Sequence, residues 1–201
     1  MPLNRRIYPH QVFIQQGFTL LEMMVVLTII GLMLSIAALN TGGNEQRKEA
    51  EQQALRFIAL LDAYRNEAVF QNIDLGLAMD GQTTQLLQYI DINSPSQING
   101  KDKETLSKLK KNPWSAYEGN LKDSFELPEY LTMGLMLNDK DIDFNDLIED
   151  DEVKPAILFL SSDEYTPFKV TLQHTNDESF SIFINGDGFS RFEIATEQYE
   201  N

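Results

Sequence analysis

The sequence contains no cysteine. That removes disulfides, thiolate nucleophiles and every zinc site built on sulfur. Histidine is almost as scarce, with only His10 and His174 in 201 residues. A lone histidine at a strand end is usually structural or exposed, and no nucleophile stands in a recognised pattern with a base. The sequence therefore gives no sign of an enzyme, and no metal or cofactor is expected. Cations are in deficit as well: 16 Lys and Arg against 31 Asp and Glu leave a net charge of −15. Binding to phosphate backbones is driven by Lys and Arg, so the composition argues against nucleic acid as a partner.

What the chain does have is one long apolar run. Phe18 to Leu39 is 22 residues with a single ionisable side chain, Glu22. As a helix it would rise roughly 33 Å, enough to cross the hydrocarbon core of a bilayer. An ionised side chain in lipid costs on the order of 2.5–3.5 kcal/mol on insertion scales and is usually there for a purpose. Glu22 lies near the positive end of the helix dipole, which favours a carboxylate. Cutting the chain between Gly17 and Phe18 would create an α-amine with a pKa near ~7.7, largely protonated and a natural counter-ion for Glu22. Two plainer readings compete. One is an ordinary anchor with an incidental acid. The other is a secretory signal ending at Ser35-Ile36-Ala37, but such apolar cores run about 7–15 residues, shorter than this one.

Gly17-Phe18-Thr19-Leu20-Leu21-Glu22 before an apolar run resembles the class III leader of type IV pilins and type II secretion pseudopilins. The resemblance implies cleavage after Gly17 by a prepilin peptidase, N-methylation of Phe18 and a role for Glu22 in assembly. Arg5 and Arg6 before the run favour a cytoplasmic N-terminus, with the acidic body across the inner membrane. Losing residues 1–17, which carry those two arginines and no acid, takes the charge from −15 to −17.

Beyond the anchor, Asn40-Thr41-Gly42-Gly43-Asn44 is expected to kink or melt, because each glycine weakens a helix by roughly 1 kcal/mol. Ala50, Ala54, Phe57, Ile58, Leu61, Tyr64 and Ala68 then recur at steps of three and four, one face of an amphipathic helix that a sheet should cover. Leu75, Leu77 and Met79, a turn at Asp80-Gly81, and Leu86–Ile90 suggest a hairpin laid on that helix. Lys101, Lys103, Lys108, Lys110 and Lys111 form one basic island, either a solvated short helix or a contact for an acidic partner. Trp114 and Tyr117 should anchor the returning chain. Tyr130–Leu137 is a further strand candidate.

Eight acids crowd into Asn138–Glu152. Asp139-x-Asp141-x-Asp143 has a calcium-loop spacing, but Phe144 stands where an EF-hand needs glycine, and Asp150 where it needs glutamate. An exposed acidic loop is expected. Ala156–Leu160, Phe168–Leu172 and Phe180–Ile184 read as strands of a meander, with Asn185-Gly186-Asp187-Gly188 as a tight turn before Phe189, Phe192 and Ile194.

Ala156 through Phe168, followed by Gly186-Asp187-Gly188, resembles the type II secretion protein H group. The expected fold is α+β, a long N-terminal helix packed on an antiparallel β-sheet or sandwich. The expected divisions are a leader at 1–17, a transmembrane and assembly helix at 18–39, hinge and amphipathic helix at 40–72, and a periplasmic β-rich domain at 73–201. The resemblance implies a minor pseudopilin near the tip of a periplasmic pseudopilus. Its implied partners are other minor pseudopilins, the major pseudopilin, the prepilin peptidase, the inner membrane and secreted substrates. A minor type IV pilin of the FimT and FimU kind is the alternative within the wider group. A membrane-anchored periplasmic enzyme is the alternative outside it.

Overall fold

The computed structural model describes residues 19–149 and 152–199. Helix α1, Leu20–Gln71, is 52 residues long. Residues 40–44, expected to kink or melt, are helical here. The chain nevertheless divides into two compact units between Gly42 and Gly43, inside that glycine pair. In the first unit every side chain from Thr19 to Ser35 is exposed. Among the described residues no helix is long and apolar enough to cross a membrane. The stretch whose side chains are described, Leu20–Ser35, is 16 residues, short of the ~20 a span needs. The apolar sequence itself runs on to Leu39.

The second unit is built on the amphipathic half of α1. Ala50, Ala54, Phe57, Leu61, Tyr64 and Ala68 are all fully buried, and Ile58 packs beside them partly buried. The helix closes at Asn72, whose φ of +55° takes the left-handed turn that ends many helices. The chain then runs through β1 (Leu75–Met79), β2 (Thr83–Tyr89), α2 (Pro95–Ile98), α3 (Lys103–Lys111), β3 (Trp114–Ala116) and β4 (Ser124–Glu126). It continues through β5 (Leu131–Leu137), β6 (Lys140–Asp141), a 3₁₀ turn at Phe144–Leu147, β7 (Ile148–Glu149), β8 (Glu152–Val153) and β9 (Ile157–Phe159). The last strands are β10 (Phe168–His174), β11 (Asp177–Gly186) and β12 (Glu193–Gln198).

Two five-stranded antiparallel sheets result, and β7 and β8 pair separately as a two-stranded one. The first has the order β3-β2-β1-β9, with β4 also on β2; the second is β12-β11-β10-β5-β6. β1 is central in the first sheet and buried at all five positions, so it reads as a continuous apolar run and not as an alternation. The expected hairpin is present. The Asp80 carboxylate accepts from the Gln82 and Thr83 backbone N–H groups and from the Thr83 hydroxyl, which fixes the turn between β1 and β2. In the second sheet β10 alternates, sending Phe168, Val170, Leu172 and His174 inward. Val170 pairs with Ile184 and Leu172 with Ile182. These residues, the first sheet's Leu77, Leu86, Ile157 and Phe159, and the α1 stripe make one core. Phe57 stacks on Phe125 at 5.1 Å and Tyr64 meets Phe159 at 6.2 Å.

The meander expected of β9, β10 and β11 is corrected. β9 pairs with β1, matching Leu75 to Phe159 and Leu77 to Ile157, and so belongs to the other sheet. The turn after β9 is tight, with Asp163 at φ +73° and a single bridge from Phe159 to Tyr165. Beyond that bridge the Leu158 N–H donates to the Thr166 hydroxyl instead of its carbonyl, and the pairing ends. The chain therefore leaves for the second sheet.

The acidic stretch resolves into local turns. Asn138 and Asp139 at φ +51° and +61° form the two-residue turn between β5 and β6. Asp143 accepts from the Asn145 backbone and side-chain amides. Asp150 and Asp151 lie outside the described residues. Among the described residues no group of three or more His, Asp or Glu is arranged to hold a metal ion.

Candidate functional site

Gly17 and Phe18 lie outside the described residues; Thr19 and Glu22 are described. α1 begins at Leu20, which makes Thr19 its N-cap and Glu22 its third residue. The Thr19 hydroxyl accepts from the Glu22 N–H at 3.2 Å, and the Thr19 carbonyl accepts from the Met23 N–H at 3.2 Å. Thr-x-x-Glu is the sequence of a capping box, and here the threonine half is made. The sequence reading singled out Glu22 and passed over Thr19, although the spacing was there to be read.

The other polar side chains of this stretch are satisfied within the helix. Thr28 donates to the Met24 carbonyl at 2.8 Å and Ser35 to the Gly31 carbonyl at 2.9 Å. That back-bonding suits a segment with no water around it. Among the described residues the Glu22 carboxylate has no hydrogen-bond or ion-pair partner. An apolar helix thus starts on a fixed cap and presents one open carboxylate.

A second constellation lies at the far end of α1. Arg65 Nε meets Asp163 Oδ1 at 2.7 Å, Nη1 donates to the Ser190 carbonyl at 2.7 Å, and Nη2 donates to the Phe189 carbonyl at 2.7 Å. Its guanidinium also lies 5.1 Å from the Tyr165 ring centroid. Asp187 accepts from the Phe189 and Ser190 N–H groups and from the Tyr165 hydroxyl. The two backbone bonds lead in holding its carboxyl well below the usual carboxylate range. Gly188 sits at φ +106°, where a side chain is strained. A Cβ on Gly186 would come within 2.7 Å of the Tyr165 ring. The paired segments that resemble protein H are therefore two loops clamped to the helix by Arg65, a residue the sequence reading did not pick. Its signal was faint: an arginine on an amphipathic helix looks like any solvated cation.

His174 is buried at the end of β10, between the rings of Tyr130 and Phe180. Its Nδ1 accepts from the Asn176 N–H. Of the two readings the sequence left open, structural or exposed, burial gives the structural one. Tyr117 is buried as expected and donates to Glu67 at 2.6 Å. Trp114 is half-buried against Tyr89.

A helix that is exposed and apolar at its start, and buried in a two-sheet domain further on, is the build of a pilin-like subunit. Residues 13–38 match the family model of the prokaryotic N-terminal methylation motif. Along most of its length the chain is similar to type II secretion system protein H of Pseudomonas aeruginosa, with 28% identity over 187 residues, 90% of this chain and 96% of the relative. It is also 31% identical over 105 residues to type II secretion system core protein G of Vibrio cholerae, across 50% of this chain and 66% of the relative. By fold it resembles the crystal structure of the minor pseudopilin EpsH from the type II secretion system of Vibrio cholerae. The TM-score is 0.52 at 20% identity, over 77% of this chain and 97% of that one. Over most of its length the chain is thus similar to type II secretion protein H.

Proposed function

We propose that the chain is a minor pseudopilin of a type II secretion system, a structural subunit and not an enzyme. The observation that carries this is the end-to-end likeness to protein H, joined to a methylation motif over residues 13–38. Residues 1–17 act as a leader that a prepilin peptidase removes, and Phe18 becomes the methylated N-terminus. The apolar start of α1 holds the subunit in the inner membrane, with the acidic domain in the periplasm. The new amine at Phe18 precedes the Thr19 cap in sequence. It serves as counter-ion for Glu22 of its own chain or of a neighbour, and the carboxylate's lack of a partner among the described residues supports that role. Other minor pseudopilins and the major pseudopilin flank it in a short filament; the likeness to core protein G over half of this chain supports a shared packing.

The test is made in cells carrying the secretion system. Glu22→Ala should reach the membrane in normal amount yet fail to co-purify with the other pseudopilins, and secretion should fall. Intact mass of the processed protein should correspond to a chain starting at methylated Phe18. A start at Met1 or Ala38, or full incorporation of Glu22→Ala, would overturn the reading.

A further inference from the structure

The basic island has no part in the filament reading. It is carried on the excursion between β2 and β3 and folds as α3, capped by Asp102, whose carboxylate accepts from the Thr105 N–H at 2.9 Å. Leu109 pins the helix, buried to 6% exposure. Five lysines lie within Lys101–Lys111, out of 16 Lys and Arg in the whole chain. Among the described residues only Lys108 is in an ion pair, with Glu104 at 3.0 Å, and both side chains are largely exposed. The helix dipole accounts for Lys108, Lys110 and Lys111, which sit in the last turn. It does not account for Lys101 and Lys103, which stand at the positive end, where a cation is disfavoured.

Beside these lysines is an open groove of about 380 Å³ between α3 and the β2–β3 edge. Leu87, Leu109, Trp114 and Ala116 line it together with polar side chains and a single lysine, Lys108. The other four lysines flank that lining in sequence. An apolar lining with cations beside it selects a ligand with an apolar anchor flanked by negative charge. We propose that α3 and this groove form a docking site for a short acidic segment of a partner protein, one apolar side chain entering against Trp114 and carboxylates meeting the lysines.

Charge decides between the anionic partners. Fields decay over about 8–10 Å at physiological salt. A short segment touches only the lysine patch. A membrane surface or a nucleic acid extends well beyond it and meets a chain of net charge −15.

Trp114 is the single tryptophan, so its fluorescence reports on the groove directly. The full chain in non-ionic detergent is titrated with a Trp-free octapeptide of Asp and Glu around one central Leu. The expected result is a saturable change in emission that weakens as salt is raised. Affinity should fall roughly tenfold in the exposed triple variant Lys103→Gln, Lys110→Gln, Lys111→Gln. An Asn/Gln version of the peptide should bind at least as weakly as that variant binds the acidic one. No change in emission, equal binding of the neutral peptide, or unchanged affinity in the triple variant would overturn the proposal. So would tighter response to anionic lipid vesicles or to oligothymidine than to the peptide. None of these readings depends on secretion or on Glu22, so this proposal and the filament reading fail separately.

Discussion

At the scale of single residues, Arg65 does more than its position on an amphipathic helix suggests. It joins α1 to two loops that follow it by 98 and by 124–125 residues. Hydrogen bonds to a charged donor contribute about 1.5–3 kcal/mol each, and less where, as here, the acceptors are exposed. Arg65→Ala should therefore lower stability by about 2–4 kcal/mol in urea unfolding. Lysine should restore only part of it, since one ammonium cannot reproduce the planar fork that meets Asp163, Phe189 and Ser190 together. Gly186→Ala places a methyl 2.7 Å from Tyr165 and 2.8 Å from Phe168 and should cost about 1–3 kcal/mol by overpacking. None of this was legible beforehand. Bonds from a side chain to distant backbone carbonyls leave no pattern in the sequence. The Gly17–Glu22 motif did, because a glycine, an aromatic, a threonine and an acid at fixed spacing before an apolar run are few residues in a restrictive order.

At the scale of elements, what could be read was what depends on local periodicity. Six of the seven stripe residues of α1 are fully buried, and Ile58 partly, where steps of three and four placed them, since helical geometry alone puts those side chains on one face. The β1–β2 hairpin followed from Asp80-Gly81 for the same local reason. The partner of β9 was hidden because strand pairing across 80 residues depends on which edge is left open, and three residues carry too little pattern to say. Helical structure runs through Gly42-Gly43, because a propensity cost of about 1 kcal/mol per glycine is small beside the cooperativity of a long helix, while the boundary between the two units falls at that pair. The contrast between faces makes a test within one element. Leu61 is fully buried and Leu55 is 55% exposed, both on α1. Leu61→Ala should cost about 2–5 kcal/mol and Leu55→Ala no more than about 0.5 kcal/mol. Equal losses would mean that the outer face of α1 is covered as well.

At the scale of the whole molecule, the charge balance and the seam between α1 and the first sheet set how stability responds to pH. Two phenols cross that seam: Tyr64 donates to the Lys122 carbonyl at 2.8 Å, and Tyr117 donates to Glu67 at 2.6 Å. Burial, with Asp123 nearby, pushes Tyr64 up to about 12; burial, with the bond to Glu67, pushes Tyr117 up to about 12. Both groups bind their proton more tightly folded than unfolded. Their contribution is complete below about pH 10, the unfolded value, and drains away as pH climbs to about 12. The acid side has the opposite sign. Asp187, held by the Phe189 and Ser190 N–H groups, and Asp80, where the Thr83 bonds outweigh partial burial, sit below the ordinary carboxylate value. Their contribution is present above about pH 4 and is lost as pH falls further. Protonation in that range also relieves the mutual repulsion of a chain at −15, so the acid loss should be the shallower one. Melting temperature followed across pH should show a plateau near neutrality, a gentle acid decline and a steep fall beginning near pH 10. Lysines titrate there too, so the assignment rests on Tyr64→Phe and Tyr117→Phe. Each should lower the plateau and flatten the alkaline fall, and an alkaline slope unchanged in both would locate the transition elsewhere than the helix–sheet seam.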